Sequence, residues 1–107
     1  MVYTLEEIRD RVRPIAEKYR LKAVYLFGSY ARGDAREDSD VDILIDATDS
    51  GLRGLAYGGL YHELESALGK PIDMITVGAL SQPIRHESDI HFRETVQKER
   101  REIYGVA

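Results

Sequence analysis

The chain has no cysteine and no asparagine. Without cysteine there are no disulfides and no thiolate metal sites; this does not fix the compartment but is compatible with a reducing cytoplasm, the expected location. Without asparagine there is no N-glycosylation acceptor. Long apolar runs are also missing. The longest, Ala23 to Phe27, is far short of the roughly 20 residues that a membrane-spanning helix needs. The first residues, Met1 to Glu7, carry neither the basic stretch nor the apolar stretch of a signal peptide, so none is expected. There is no basic tail of the kind that grips nucleic acid without regard to sequence, and direct nucleic-acid binding is not expected. His62, His86 and His91 show no metal-ligand spacing, and Gly51, Gly54, Gly58 and Gly59 form no dinucleotide fingerprint.

What is present is acid, unevenly placed. The 107 residues carry a formal charge of −4. Residues 34–49 alone hold Asp34, Glu37, Asp38, Asp40, Asp42, Asp46 and Asp49 against one base, Arg36, a local −6. The rest of the chain is therefore slightly basic. The length fits one domain, residues 1–107, with a modest core.

The periodicity predicts the element order. Leu5, Ile8, Val12, Ile15 and Tyr19 recur at helical spacing, which predicts a helix from Thr4 to Arg20. Thr4 and Glu7 make a capping box, with Tyr3 placed to staple against Ile8. Pro14 is expected to kink this helix or to start a second segment. Ala23 to Phe27 reads as a strand buried on both faces. Gly28-Ser29 ends it, Tyr30 to Arg32 makes a helical turn closed by Gly33, and Asp34 to Ser39 is a polar loop. Asp40 to Asp46 is a second strand. Leu52 to Leu68 is a helix with Leu52, Leu55, Ala56, Leu60, Leu64 and Leu68 inward, and Gly69 follows its C-terminus. Pro71 to Val77 is a third strand. From Ser81 the pattern is helical and charged, with a break near Ser88, Asp89 as the cap of the last helix, and Phe92, Val96 and Ile103 on its apolar face. The fold class is a small α/β (α+β) domain, a three- or four-stranded mixed sheet flanked by helices.

Two short stretches carry chemistry. In the first, Gly28 allows a sharp turn and a close backbone approach to a ligand. Ser29 stands where a strand gives way to a helical turn, where N–H groups and its hydroxyl favour an anion. Arg32 is open between a phosphate partner and a surface pair with Asp34. In the second, Asp40 and Asp42 lie two apart on a strand and leave the same face, while Val41, Ile43 and Ile45 face the core. Two adjacent carboxylates repel unless a cation or proton lies between them, and oxygen donors suit Mg²⁺. An EF-hand fails here, because Ile43 and Asp49 occupy the positions that need Gly and Glu. Asp73 interrupts an apolar strand and can join the pair if that strand lies beside the second one. Three carboxylates with phosphate oxygens could hold two metal ions. Asp34, Glu37, Asp38 and Asp49 read as a solvated loop. Tyr25, Tyr57 and Tyr61 read as core or interface aromatics.

Gly28-Ser29, ten intervening residues, then Asp40-x-Asp42 resembles the signature of the DNA polymerase β-type nucleotidyltransferases. The likeness is strongest to the minimal nucleotidyltransferase (MNT) branch and runs from about Val24 to Val77. The resemblance implies that Gly28 and Ser29, supported by Arg32, hold the triphosphate of ATP. It implies that Asp40, Asp42 and Asp73 bind Mg²⁺, two ions in all, and form the catalytic set. MNT proteins are similar to the antitoxins of HEPN/MNT pairs, so a further implication is transfer of AMP to a tyrosine hydroxyl of a HEPN toxin partner. Two rival functions stay open: a catalytically silent module that neutralises its partner by contact, and nucleotidyl transfer to a small-molecule hydroxyl. A domain this small offers half a cleft, and a homo-oligomer or a partner on the C-terminal helices, Ile84 to Tyr104, would complete it.

Overall fold

The computed structural model describes residues 2–80 and 87–106. The first helix, α1 (Leu5–Lys18), starts where the sequence places it. The Thr4 hydroxyl accepts from the Glu7 N–H at 3.1 Å, and the Glu7 carboxylate accepts from the Thr4 N–H at 2.9 Å. The helix runs through Pro14 as one element, so the expected second segment does not form. Its buried stripe is Ile8, Val12 and Ala16; Leu5, Ile15 and Tyr19 lie at the margin of the core.

Strand β1 (Ala23–Phe27) leads directly into the short helix α2 (Gly28–Arg32), which Gly33 closes with φ 87°. Strand β2 (Val41–Asp46) follows the acidic loop, then α3 (Leu55–Leu68), then β3 (Ile72–Thr76) and a single turn, α4 (Val77–Leu80). After the undescribed residues come α5 (Glu87–Glu99) and β4 (Arg101–Gly105). The sheet order is β3-β2-β1-β4. β1 pairs antiparallel with both β2 and β4, and β2 pairs parallel with β3. The parallel pair needs a crossover, which α3 supplies. The fold is thus the expected mixed α/β sheet with helices, four strands in all.

Most of the core lies on one face. Ile8, Val12 and Ala16 of α1 and Leu60, Leu64 and Leu68 of α3 pack with Val24, Leu26, Val41, Ile43 and Ile45 of the sheet. A smaller cluster of Phe27, Leu44 and Val96 forms against α5. Tyr3 donates to the Leu68 carbonyl at 2.6 Å and Arg11 to the Ala67 carbonyl at 2.9 Å, which satisfies orphan carbonyls at the end of α3. Leu64 is fully buried between α1 and the sheet. Leu64→Ala is expected to cost about 2–5 kcal/mol through lost transfer energy and a residual cavity. Urea denaturation checks this, and a loss below about 1 kcal/mol would mean that the site collapses around the smaller side chain.

Several expectations fail. Leu55 and Ala56 are exposed and not inward, Leu55 by 97%, because α3 begins only at Leu55, after Gly54, and both residues precede the first turn that reaches the sheet. Residues 101–105 are a strand and not the end of a helix, so Ile103 is buried in the sheet and not on a helical face. Asp89 does not cap the last helix, since α5 already starts at Glu87. Phe92 is exposed except for an edge-to-face contact with Phe27 at 6.1 Å. The expected helical start at Ser81, and Ile84, lie outside the described residues.

Candidate active site

The site is built at the ends of three adjacent strands. β1 ends at Phe27, and the chain turns at Gly28 with φ +69°, a conformation that costs an L side chain energy. The register pairs Phe27 with Asp42, so the turn passes directly over the Asp42 carboxylate. A Cβ added to Gly28 would stand 2.0 Å from Asp42 Oδ2 and 3.0 Å from its Cγ. Glycine is required here twice, by φ and by space. Ser29 comes next, in the first turn of α2, and no side chain caps that helix. Its carbonyl accepts from Gly33 and Asp34 N–H at 3.0 and 3.1 Å, which tightens the turn.

β2 and β3 run parallel with Asp42 beside Asp73. That juxtaposition was conditional in the sequence, and the pairing supplies it. Asp42 is half-buried, whereas Asp40 and Asp73 are exposed. The Asp42 carboxyl is pushed up to about 6. Burial is the main cause, followed by a hydrogen bond with Asp73 and by repulsion from Asp73 and Asp40, with Arg32 acting in the opposite sense. In physical terms the site holds more negative charge than it can solvate. A divalent cation answers that excess, and an all-oxygen donor set suits Mg²⁺. Among the described residues no three side chains already form a closed metal-ligand cluster. Asp42 and Asp73 make the close pair, and Asp40 flanks it from just ahead of the strand.

The acidic loop behaves as the solvated connection the sequence implies, but it is anchored. Lys70 donates to the Glu37 carbonyl at 2.8 Å, and the Val41 N–H donates to the Pro71 carbonyl at 3.1 Å. These contacts tie the approach to β2 to the approach to β3. Arg32 makes the surface pair with Asp34 that the sequence left open beside a phosphate role, at 3.3 Å, and a second pair with Glu99, at 3.2 Å.

Two neighbours of the site were missed. Glu99 lies 67 residues beyond Arg32, and no local pattern links them. Tyr61, read as a core or interface aromatic, is 37% exposed and donates to the Ile72 carbonyl at 3.1 Å, one residue before Asp73. Its phenol is pushed up by burial first, then by Glu65, Asp73 and Asp40. The available signal was its position: with Leu60 and Leu64 inward, Tyr61 flanks the stripe.

Among the described residues no helix is long and apolar enough to cross a membrane. The family model described as "Nucleotidyltransferase domain" matches residues 5–104. The protein adenylyltransferase MntA of Thermococcus cleftensis is 36% identical over 85 residues, 76% of this chain and 85% of that one. A solved structure assigned as a minimal nucleotidyltransferase superposes with a TM-score of 0.66 at 31% identity, covering 92% of this chain and 94% of that one. A crystal structure of a toxin–antitoxin with AMP-PNP superposes with a TM-score of 0.68 at 25% identity, covering 92% and 73%.

Proposed function

The chain belongs to the nucleotidyltransferase domain family and is an enzyme of that class, and from this premise we propose that it is a protein adenylyltransferase. In this reading residues 1–107 act as one minimal domain in the cytoplasm. The domain moves AMP from ATP to a hydroxyl, a tyrosine of a HEPN-type toxin partner, and so serves as the antitoxin. The observation that carries the reading is the Asp42–Asp73 pair, with Asp42 directly under the Gly28 turn. The similarity to MntA and to a toxin–antitoxin structure with AMP-PNP supports the choice of nucleotide and partner.

The chemistry makes one bond and breaks one. The acceptor oxygen bonds to the α-phosphorus, the bond from that phosphorus to the bridging oxygen of the β-phosphate breaks, and diphosphate leaves. Asp40, Asp42 and Asp73 are the residues that would hold Mg²⁺, two ions in the proposed site. Bound there, Mg²⁺ supplies charge neutralisation for the phosphates and a lowered pKa for the acceptor hydroxyl. Gly28 lets the backbone close on the triphosphate, and Ser29 offers its N–H and hydroxyl. Arg32 adds a guanidinium one turn on, suited to a phosphate oxygen. Asp73, the more exposed of the close pair, accepts the proton from the acceptor hydroxyl.

The test is label transfer. Purified chain is incubated with α-labelled ATP, Mg²⁺ and the product of the neighbouring gene. Label on a tyrosine of the partner, absent from Asp40→Ala/Asp42→Ala and absent with EDTA, is expected. No transfer by the wild-type chain, or equal transfer by the double variant, would leave the contact-only reading in its place.

A further inference from the structure

Arg32 closes α2, the same short helix that opens with Gly28 and Ser29. Its guanidinium is held from two directions. Nε donates to Asp34 Oδ2 at 3.3 Å, and Nη1 donates to both carboxylate oxygens of Glu99, at 3.2 and 3.3 Å. Glu99 is the last residue of α5, which packs on α2 and β1. The two carboxylates are not equivalent. The Glu99 side chain is 23% exposed and that of Asp34 is 62%. A sheltered carboxylate fixes a guanidinium better than a solvated one does.

A guanidinium has five N–H donors in a rigid fork. The contacts with Asp34 and Glu99 use Nε and Nη1, and among the described residues Nη2 has no protein partner. Arg32 is therefore held without being exhausted.

We propose that Glu99 is a positioning residue: it fixes Arg32 so that the remaining guanidinium N–H groups meet a phosphate oxygen of the bound nucleotide. Glu99 touches neither nucleotide nor acceptor and works only through Arg32. The proposal rests on the nucleotidyl-transfer reading above. It gives α5 a part in nucleotide binding that the helix's charged composition did not reveal.

The experiment uses the full chain and three readouts: affinity for Mg²⁺·AMP-PNP by calorimetry, KM and kcat for AMP transfer, and thermal midpoint. Glu99→Ala is expected to weaken AMP-PNP affinity and raise the ATP KM about 5–10-fold, with kcat within about twofold. Glu99→Gln keeps an acceptor oxygen and should recover part of the loss. In an Arg32→Ala background, Glu99→Ala should change affinity by less than about twofold, because the two residues act as one unit. A merely structural Glu99 would lower the thermal midpoint and weaken binding equally in both backgrounds. That result, or an unchanged affinity in Glu99→Ala alone, would overturn the proposal. A wild-type chain that binds AMP-PNP without transferring AMP would sink the functional reading and leave the affinity comparison decisive. A wild-type chain that binds no AMP-PNP would overturn both.

Discussion

Asp42→Asn is expected to lower AMP transfer by about 10³-fold or more and, at neutral pH without metal, to make the chain more stable. The two effects have one origin. Asp42 is half-buried, shares its register position with Asp73 and has Asp40 two residues away on the same face. Its carboxyl is pushed up to about 6 from an ordinary 3.8. The folded state thus binds that proton more tightly than the unfolded state does. Stability from this group is fully present below about pH 4, is lost as pH rises towards 6, and stays lost above it. The loss at pH 7, discounted for partial exposure, is about 1–2 kcal/mol. Asparagine keeps the shape and removes the charge, so the variant escapes the loss. It also removes a carboxylate that would hold Mg²⁺ against the departing phosphates. A 10³-fold drop corresponds to about 4 kcal/mol of transition-state stabilisation. Urea unfolding in EDTA at pH 4 and pH 8 gives the first half, and label transfer gives the second. The variant should gain at pH 8 and show little gain at pH 4. An equal or lower stability at pH 8 would mean that the Asp42 charge is not strained in the fold. Transfer within about tenfold of wild type would remove Asp42 from the catalytic set.

Only part of that strain is legible from the chain alone: Asp40 lies two residues from Asp42, whereas the larger causes, burial and the pairing with Asp73, depend on contacts across the chain. Asp40 and Asp42 share a face by strand alternation, and Gly28-Ser29 punctuates an apolar run at a spacing that a family resemblance made specific. The capping box at Thr4 and Glu7 and the left-handed glycines at 33 and 69 are local in the same sense. What was hidden depends on contacts across the chain. Arg101 to Gly105 has one buried side chain, Ile103, and becomes a strand only by pairing with β1, some 80 residues earlier. Val96 and Ile103 are seven apart, which suits a helix as well as it suits a helix followed by a strand. Leu55 failed for a related reason: a leucine at helical spacing says nothing about where the helix meets the sheet. Glu99 was invisible because its partner lies at the far end of the sequence. The side-by-side placement of Asp40 and Asp42 was therefore readable, and the long-range partner of Arg32 was not.

Gly28→Ala is the second large effect, and it is expected to act through Asp42. Two costs add. An alanine at φ +69° carries roughly 1 kcal/mol of left-handed strain. Its Cβ would also stand 2.0 Å from Asp42 Oδ2. The backbone of Asp42 cannot retreat, since it is held between Phe27 on one side and Asp73 on the other. The carboxylate must therefore swing away. The total is expected to be about 2–4 kcal/mol of stability. Transfer should fall at least about 10²-fold, because a carboxylate displaced by about 1 Å no longer holds its ligand in a productive geometry. Gly33 supplies the control. It has φ +87° and nothing within 4 Å of an added Cβ, so Gly33→Ala should cost only the strain. Asp42→Ala supplies the cycle: with the carboxylate gone the clash is gone, and Gly28→Ala should cost about 1 kcal/mol in that background. Urea midpoints of the four chains measure the coupling directly. An undiminished cost in the Asp42→Ala background would mean that Gly28 is needed for its backbone conformation alone, and that the close passage of the turn over the carboxylate does not shape the site.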